Sequence, residues 1–371
     1  MFFKKTLIVF AIISSIILTG CQPKEQFTFT IKGNIANFES PEVIVSEFDY
    51  LAKKTTPIDT LIVTGGTFEK GFNLNPGIYT IALGAKTVTL VAGKGQTIEI
   101  IGDIDDVTVK GSTDTQLLAD YEAFRKTSLD KLVTSVRNKI KELKKHQTSE
   151  SETEIATLRQ LEIKNYDVHL DELIQFVKDS MGTSLAVYPT ALRWRGGENL
   201  PFLKDLVARF KTAHPNSNLS EKLANRFQQI ENRSVGSSFS NISMPNANNE
   251  IIELNKVKAT YTLIDVWASW CPPCRSESGI LVDLYQKFKP RGFEIYGISL
   301  DSRKNNWLKA MEKDRRIWPN VSTVQGFKTP FALDYGITAL PTNFIIDSNG
   351  KIIAVNIHGE ELKEKIMELF E

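Results

Sequence analysis

Two cysteines, Cys271 and Cys274, stand where an apolar run, Leu263 to Trp267, gives way through Ala268-Ser269-Trp270 to a helical pattern. A sulfur just ahead of a helix meets unpaired N–H groups and the positive end of the helix dipole, both of which favour thiolate over thiol. Cys271 is therefore the expected nucleophile, and Cys274 the thiol that resolves what the first one forms. Pro272 and Pro273 suit a first helical turn, where their missing N–H groups break no helix bond. They also withhold donors from the sulfur, so the N–H of Cys274 is the nearest main-chain donor and support for the thiolate is moderate. Asp265 precedes the pair on the same apolar strand. A carboxylate there is costly unless it is paired or exchanges a proton, which makes it the expected acceptor for the Cys274 proton. Glu277, one helical turn beyond Cys274 and on its face, is the second acid. The plainer alternatives are an edge-strand aspartate facing water and an ordinary solvated helix glutamate.

The run Asp265-Val266-Trp267-Ala268-Ser269-Trp270-Cys271-Pro272-Pro273-Cys274-Arg275 resembles the active-site strand and helix start of the thioredoxin superfamily. With Glu277 added it is most similar to the TlpA/ResA-type thiol-disulfide oxidoreductases, membrane-anchored proteins of bacterial envelopes. Downstream, Tyr335-Gly336-Ile337 and then Leu340-Pro341-Thr342-Asn343-Phe344-Ile345-Ile346-Asp347 resemble the family's cis-proline loop and the strand after it. The resemblance implies that Pro341 is cis and packs against the dithiol, and that Asp265 and Glu277 are the family's buried acids. On this basis Trp270 is expected to shield one side of the pair, and the main chain of Leu340, Pro341 and Thr342 to hold a substrate in strand-like fashion. Two departures limit the comparison. Pro272 replaces the usual glycine or acidic residue, and Gly279 stands where many relatives carry a helix-kinking proline, so neither redox potential nor helix geometry carries over.

Other chemistries of a CxxC pair fit less well. Zinc usually takes four ligands, yet the chain has no second CxxC and its four histidines are not spaced to complete a set, so no metal is expected. Haem attachment needs a histidine at 275, which is arginine. A purely structural disulfide closing so short a loop gains little from chain entropy. Peroxidase chemistry, as in peroxiredoxins, uses a different cysteine position of the same fold. A binding lipoprotein with a vestigial dithiol is the alternative of another class, distinguished by having no reversible Cys271–Cys274 couple. The reaction expected is exchange with protein thiols or disulfides, in concert with a redox partner protein and with no cofactor beyond the Cys271–Cys274 disulfide itself.

The rest of the chain must deliver and position that pair. A length of 371 residues calls for more than one domain, and 42% hydrophobic with 24% charged residues is a globular balance. The net charge of +1 gives no reason to expect a nucleic-acid partner. Residues 1–20 read as a leader: Lys4-Lys5, then an apolar run from Leu7 to Leu18 too short to span a bilayer. Leu18-Thr19-Gly20-Cys21 resembles a bacterial lipobox, which implies cleavage before Cys21, lipidation there, and a periplasm-facing protein anchored to a membrane of the envelope. With Cys21 capped, only the redox pair remains of three cysteines. Residues 21–26 are a polar tether. From 27 to 112, period-two alternation such as Phe27/Phe29/Ile31 against Thr28/Thr30/Lys32, broken by glycine turns, predicts an antiparallel β-sandwich, and it resembles the uncharacterised β domain found in such lipoproteins. Apolar residues recurring at threes and fours predict an α-helical middle region over 113–233, and a Ser/Asn/Gly-rich stretch at 234–249 a linker. The order βαβα…ββα over 250–371 predicts an α/β thioredoxin fold, with Asn349-Gly350 as a hairpin turn. The chain is therefore expected to be multidomain.

Overall fold

The computed structural model describes residues 27–145 and 148–371. The expected leader, tether and lipidation site at Cys21 lie outside the described residues.

Eight strands form the N-terminal unit: β1 (Phe29–Ala36), β2 (Glu42–Asp49), β3 (Lys54–Ile62), β4 (Thr67–Phe72), β5 (Gly77–Leu83), β6 (Lys86–Ala92), β7 (Gln96–Asp103) and β8 (Asp106–Lys110). They make two four-stranded sheets, ordered β4-β1-β7-β8 and β3-β2-β5-β6. The alternation along β1 explains the layering: Phe29, Ile31 and Ile35 point inward and are buried, while Lys32 and Asn34 face out. Phe29, Ile31, Val45, Ile81, Leu90 and Ile98 meet in one core between the sheets. Pairing is antiparallel throughout except for β1 beside β7, which run parallel. Sequence alternation fixes which face is buried and leaves strand direction open, so this one parallel pair was not legible.

The middle region is helical. Helix α1 (Thr113–Leu129) passes through a π-helical turn, Asp130–Thr134, into α2 (Ser135–Leu143), followed by α3 (Ser149–Phe176), a short α4 (Val187–Thr190), α5 (Leu200–Ala213) and α6 (Asn218–Glu231). Ser112 caps α1 by accepting the N–H of Thr115 at 3.0 Å while donating to the Val91 carbonyl at 2.6 Å, which stitches the helix start to β6. Ile78 and Val91 of the sandwich join the helical core around Tyr121, Leu203 and Phe210. At the other end, α6 reaches the C-terminal unit through Gln229 and Asn232, whose side-chain amides donate to the carbonyls of Leu333 and Asp334.

The C-terminal unit begins earlier than its sequence signals. The stretch 234–249, expected to link, is bonded into it: Gly236 N–H donates to Ile352 O, the Phe239 ring packs at a tilt against Tyr335 and Phe344, and β9 (Ser243–Pro245) pairs with β10 (Ile251–Glu253). The buried apolar residues Phe239, Ile242 and Met244, scattered among serines and asparagines, account for the difference. After a short α7 (Leu254–Val257) come β11 (Tyr261–Trp267), α8 (Pro272–Phe288), β12 (Phe293–Ser299), α9 (Lys304–Lys313), β13 (Asn320–Val321), α10 (Pro330–Asp334), β14 (Thr342–Asp347), β15 (Ile352–Val355) and α11 (Gly359–Phe370). The five-stranded sheet runs β13-β12-β11-β14-β15, with β11 central, parallel to β12 and antiparallel to β14. Period two then sorts the side chains of β11. Ile264 and Val266 enter the core with Phe239 and Phe331, whereas Leu263 packs under α8 and α11 with Leu281 and Ile366. Asp265 and Trp267, two and four residues on from Leu263, fall on that second face, beneath the start of α8.

Candidate functional site: a buried dithiol with a paired acid

Cys271 occupies the N-cap of α8 and Pro272-Pro273 its first turn. The Cys271 sulfur accepts the N–H of Cys274 at 3.3 Å, as the donorless prolines require. Both cysteines are buried, with Cα atoms 5.4 Å apart, and they form a disulfide. Gly279 interrupts nothing: α8 continues unbroken to Phe288. Around the sulfurs lies a small apolar cluster of Trp267, Ala268, Trp307 and Ala310, with Leu340 packed against it. The Leu340–Pro341 bond is cis, and Thr342 begins β14, paired to Val266 at the end of β11. The loop carrying Leu340, Pro341 and Thr342 therefore sits beside the strand that delivers the dithiol. Trp270 behaves differently from expectation. It is 53% exposed, leans on Phe327 with ring centroids 6.0 Å apart, and is not part of the cluster enclosing the sulfurs.

Asp265 is 3% exposed and does not face water. Its Oδ2 accepts from Arg316 Nη1 at 2.5 Å, and the other terminal nitrogen, Nη2, donates to the Cys274 carbonyl at 2.9 Å. One buried guanidinium thus bridges the acid on β11 and the second cysteine on α8. Burial pushes the Asp265 carboxyl above the ordinary carboxylate range, and the charge and hydrogen bond of Arg316 oppose that rise without cancelling it. Glu277, also buried, is occupied otherwise: Oε1 accepts the Gly359 N–H at 2.8 Å at the start of α11, and Oε2 lies 3.2 Å from His358 Nδ1. Burial raises its carboxyl, but these partners outweigh burial and hold it below its usual range. The two acids are thus distinguished by their partners, one poised upward and the other fixed as a carboxylate.

Three further residues hold the site in place, and of them Arg275 alone lies in the motif run. Asp301, 1% exposed, accepts the Ser269 N–H at 3.0 Å and the Ser269 and Ser299 hydroxyls at 2.5 and 2.8 Å, which anchors the chain just ahead of Cys271. Arg275, ion-paired to Asp314, donates to the Ser269 carbonyl at 3.1 Å. Arg316 hides in the run Lys313-Asp314-Arg315-Arg316, which reads as a solvated charge cluster. The available signal was the acid itself: a carboxylate buried in a strand demands a cation, although nothing local says which one.

Residues 235–355 match the AhpC/TSA family, and residues 29–118 match a domain of unknown function, DUF4369. A thiol-disulfide oxidoreductase ResA from Bacillus cereus is 31% identical over 153 residues, covering 38% of this chain and 80% of the relative. One from Bacillus thuringiensis is 30% identical over 148 residues, covering 38% and 79%. A solved thiol-disulfide oxidoreductase from Bacteroides fragilis aligns with 34% identity and a TM-score of 0.33, over 36% of this chain and 99% of that one. The AhpC/TSA match falls on the unit that holds the dithiol, and by its likeness to these relatives the chain belongs to the ResA-like thiol-disulfide oxidoreductases.

Proposed function

We propose that this oxidoreductase exchanges disulfides with protein substrates of the cell envelope through Cys271 and Cys274, held at a membrane by a lipid on Cys21. In the reducing direction the Cys271 thiolate attacks a substrate disulfide. One substrate sulfur leaves as thiolate and takes up a proton, and the other stays bonded to Cys271. Cys274 then gives its proton to Asp265 and attacks the Cys271 sulfur. The Cys271–Cys274 bond forms, the second substrate thiolate leaves, and two electrons have passed to the substrate. In the oxidising direction the steps run backwards from the disulfide. No cofactor is required, because the disulfide is the electron carrier, and a redox partner protein resets it.

The observation that carries this proposal is the placement of Cys271 at the N-cap of α8, its sulfur accepting the Cys274 N–H, with a buried acid tied to Cys274 behind it. The loop at Leu340, Pro341 and Thr342 supplies main chain for an extended substrate, and the exposed indole of Trp270 offers it an apolar contact. In cells, Cys274→Ser should trap a mixed disulfide between Cys271 and its substrates. Recovery of no adduct from that variant, with Cys271→Ser as control, would count decisively against protein exchange. The lipid anchor is tested separately, by metabolic fatty-acid labelling that Cys21→Ala should abolish.

A further inference from the structure

The turn after α9 touches the dithiol segment from two sides. Asp314 holds Arg275, which in turn holds the Ser269 carbonyl ahead of Cys271. Arg315 takes a left-handed conformation, φ 51°, and Arg316 follows with its side chain completely buried. The Arg316 guanidinium lies 3.8 Å from the centre of the Trp267 ring while its two terminal nitrogens bond Asp265 and the Cys274 carbonyl. Its Nε–H has no partner among the described residues. A buried ion pair that leaves a donor unpaired is a poor stabiliser compared with apolar side chains of similar size, so stability does not account for this arginine. Its planar fork, in contrast, fixes two acceptors in one geometry, which a lysine could not do.

We propose that Arg316 is a positioning residue for the exchange: it orients the Asp265 carboxylate and fixes the main chain of Cys274, so that the proton leaving Cys274 meets an aligned acceptor. This rests on the exchange chemistry described above and adds the residue that governs its second step. The charged groups acting on Asp265 are Arg316, Glu277 and His358, and of these Arg316 is the one bonded to it. Without Arg316, burial and the neighbouring Glu277 both push the carboxyl up and His358 is left as the one group acting the other way; the carboxyl stays protonated to higher pH and accepts the Cys274 proton poorly. The first attack, by Cys271, does not pass through Asp265 and is left nearly unchanged.

The test uses the full chain carrying glutathione on Cys271 as a mixed disulfide, and follows glutathione release by Cys274 against pH. In Arg316→Gln, release at neutral pH should slow about tenfold or more and the acid limb of the profile should move up by about one unit or more. Arg316→Lys, which keeps the charge and loses the fork, should recover part of the rate. In an Asp265→Asn background, Arg316→Gln should slow release by less than about threefold more, the share left to its bond with the Cys274 carbonyl, and this double variant, lacking the Asp265–Arg316 pair, serves if the single one does not fold. Alkylation of Cys271 in a Cys274→Ser background should vary less than about threefold on loss of Arg316. A wild-type profile in Arg316→Gln, an equal loss in the Asp265→Asn background, or a matching loss of Cys271 alkylation would each overturn the proposal. Failure of the wild-type protein to release glutathione would instead remove the exchange chemistry on which it stands.

Discussion

The two ends of this chain bury their interiors on different terms. In the strands of the sandwich, the buried polar side chains among the described residues are Ser46 and Thr80, and none is charged; the rest is Phe, Ile, Val, Leu, Tyr and Ala. The C-terminal unit, built around one central strand, buries Asp265, Glu277, Asp301 and Arg316. Each side chain of the first set is explained by area removed from water, about 1.5–3 kcal/mol for a fully buried large apolar residue. Those of the second set are explained by what they hold: a loop, a helix start, each other and the main chain of Cys274. Buried charge is costly where nothing uses it. Its concentration within reach of one dithiol marks where structure has been committed to chemistry, and its absence from the sandwich marks a unit held together by packing.

The comparison breaks most sharply at the sulfurs. Cys271→Ser should reduce exchange to the background of the buffer while leaving the unfolding of the sandwich unchanged, as read by turnover and by thermal melts of the same sample. The converse change is Phe29→Ala. Phe29 is buried between Phe72 and Tyr79, with ring centroids 5.5 and 5.1 Å away, so truncation should cost the sandwich about 3–5 kcal/mol. Exchange by the native fraction should stay within about twofold of wild type. A large fall in exchange would mean that the sandwich acts on the dithiol and that the division drawn above is wrong.

Asp265→Asn sharpens the comparison inside the C-terminal unit. Loss of a positioned proton acceptor should slow the step taken by Cys274 about a hundredfold, seen as accumulation of mixed disulfide during turnover. The pH signature has a definite sign. Burial raises the folded-state value of Asp265 above its unfolded one, so its contribution to stability is fully present below the ordinary aspartate range and is lost as pH rises through the raised value. Asparagine removes that decline, and the stability curve of the variant should be flatter on this alkaline side.

How much of this was readable beforehand follows the same division. Short-range signals served well: the period-two runs located the sandwich, and the CxxC at a strand-to-helix junction placed Cys271 at an N-cap. What stayed hidden depends on chain segments that meet only in space. The parallel pairing of β1 with β7, the absorption of 234–249 into the C-terminal unit, and the Arg316 bridge are of this kind. Arg316 in particular has charged neighbours that suggest solvent, yet it follows a left-handed Arg315 and is buried. Trp270 shows the limit of motif position: Cys271 beside it is buried, yet the indole lies half in water against Phe327.

The smallest expected effect is at Glu277, and it separates the two acids by sign. Glu277 accepts the first N–H of α11 and pairs with His358, which together hold its folded-state value below the unfolded one despite burial. A depressed carboxylate contributes stability above its unfolded value and loses it as pH falls through the folded one, the reverse of Asp265. Glu277→Gln keeps an acceptor for Gly359 but gives up the charge at the helix start, so near neutral pH it should cost about 1 kcal/mol. That cost should fade as the solution is acidified below the normal glutamate range, because the wild-type carboxyl then becomes neutral too. Release of glutathione by Cys274 should change less than about threefold, against the hundredfold at Asp265. A loss at Glu277 as large as that at Asp265 would make the two carboxylates a coupled pair sharing the Cys274 proton, and the helix-capping role of Glu277 would be secondary to catalysis.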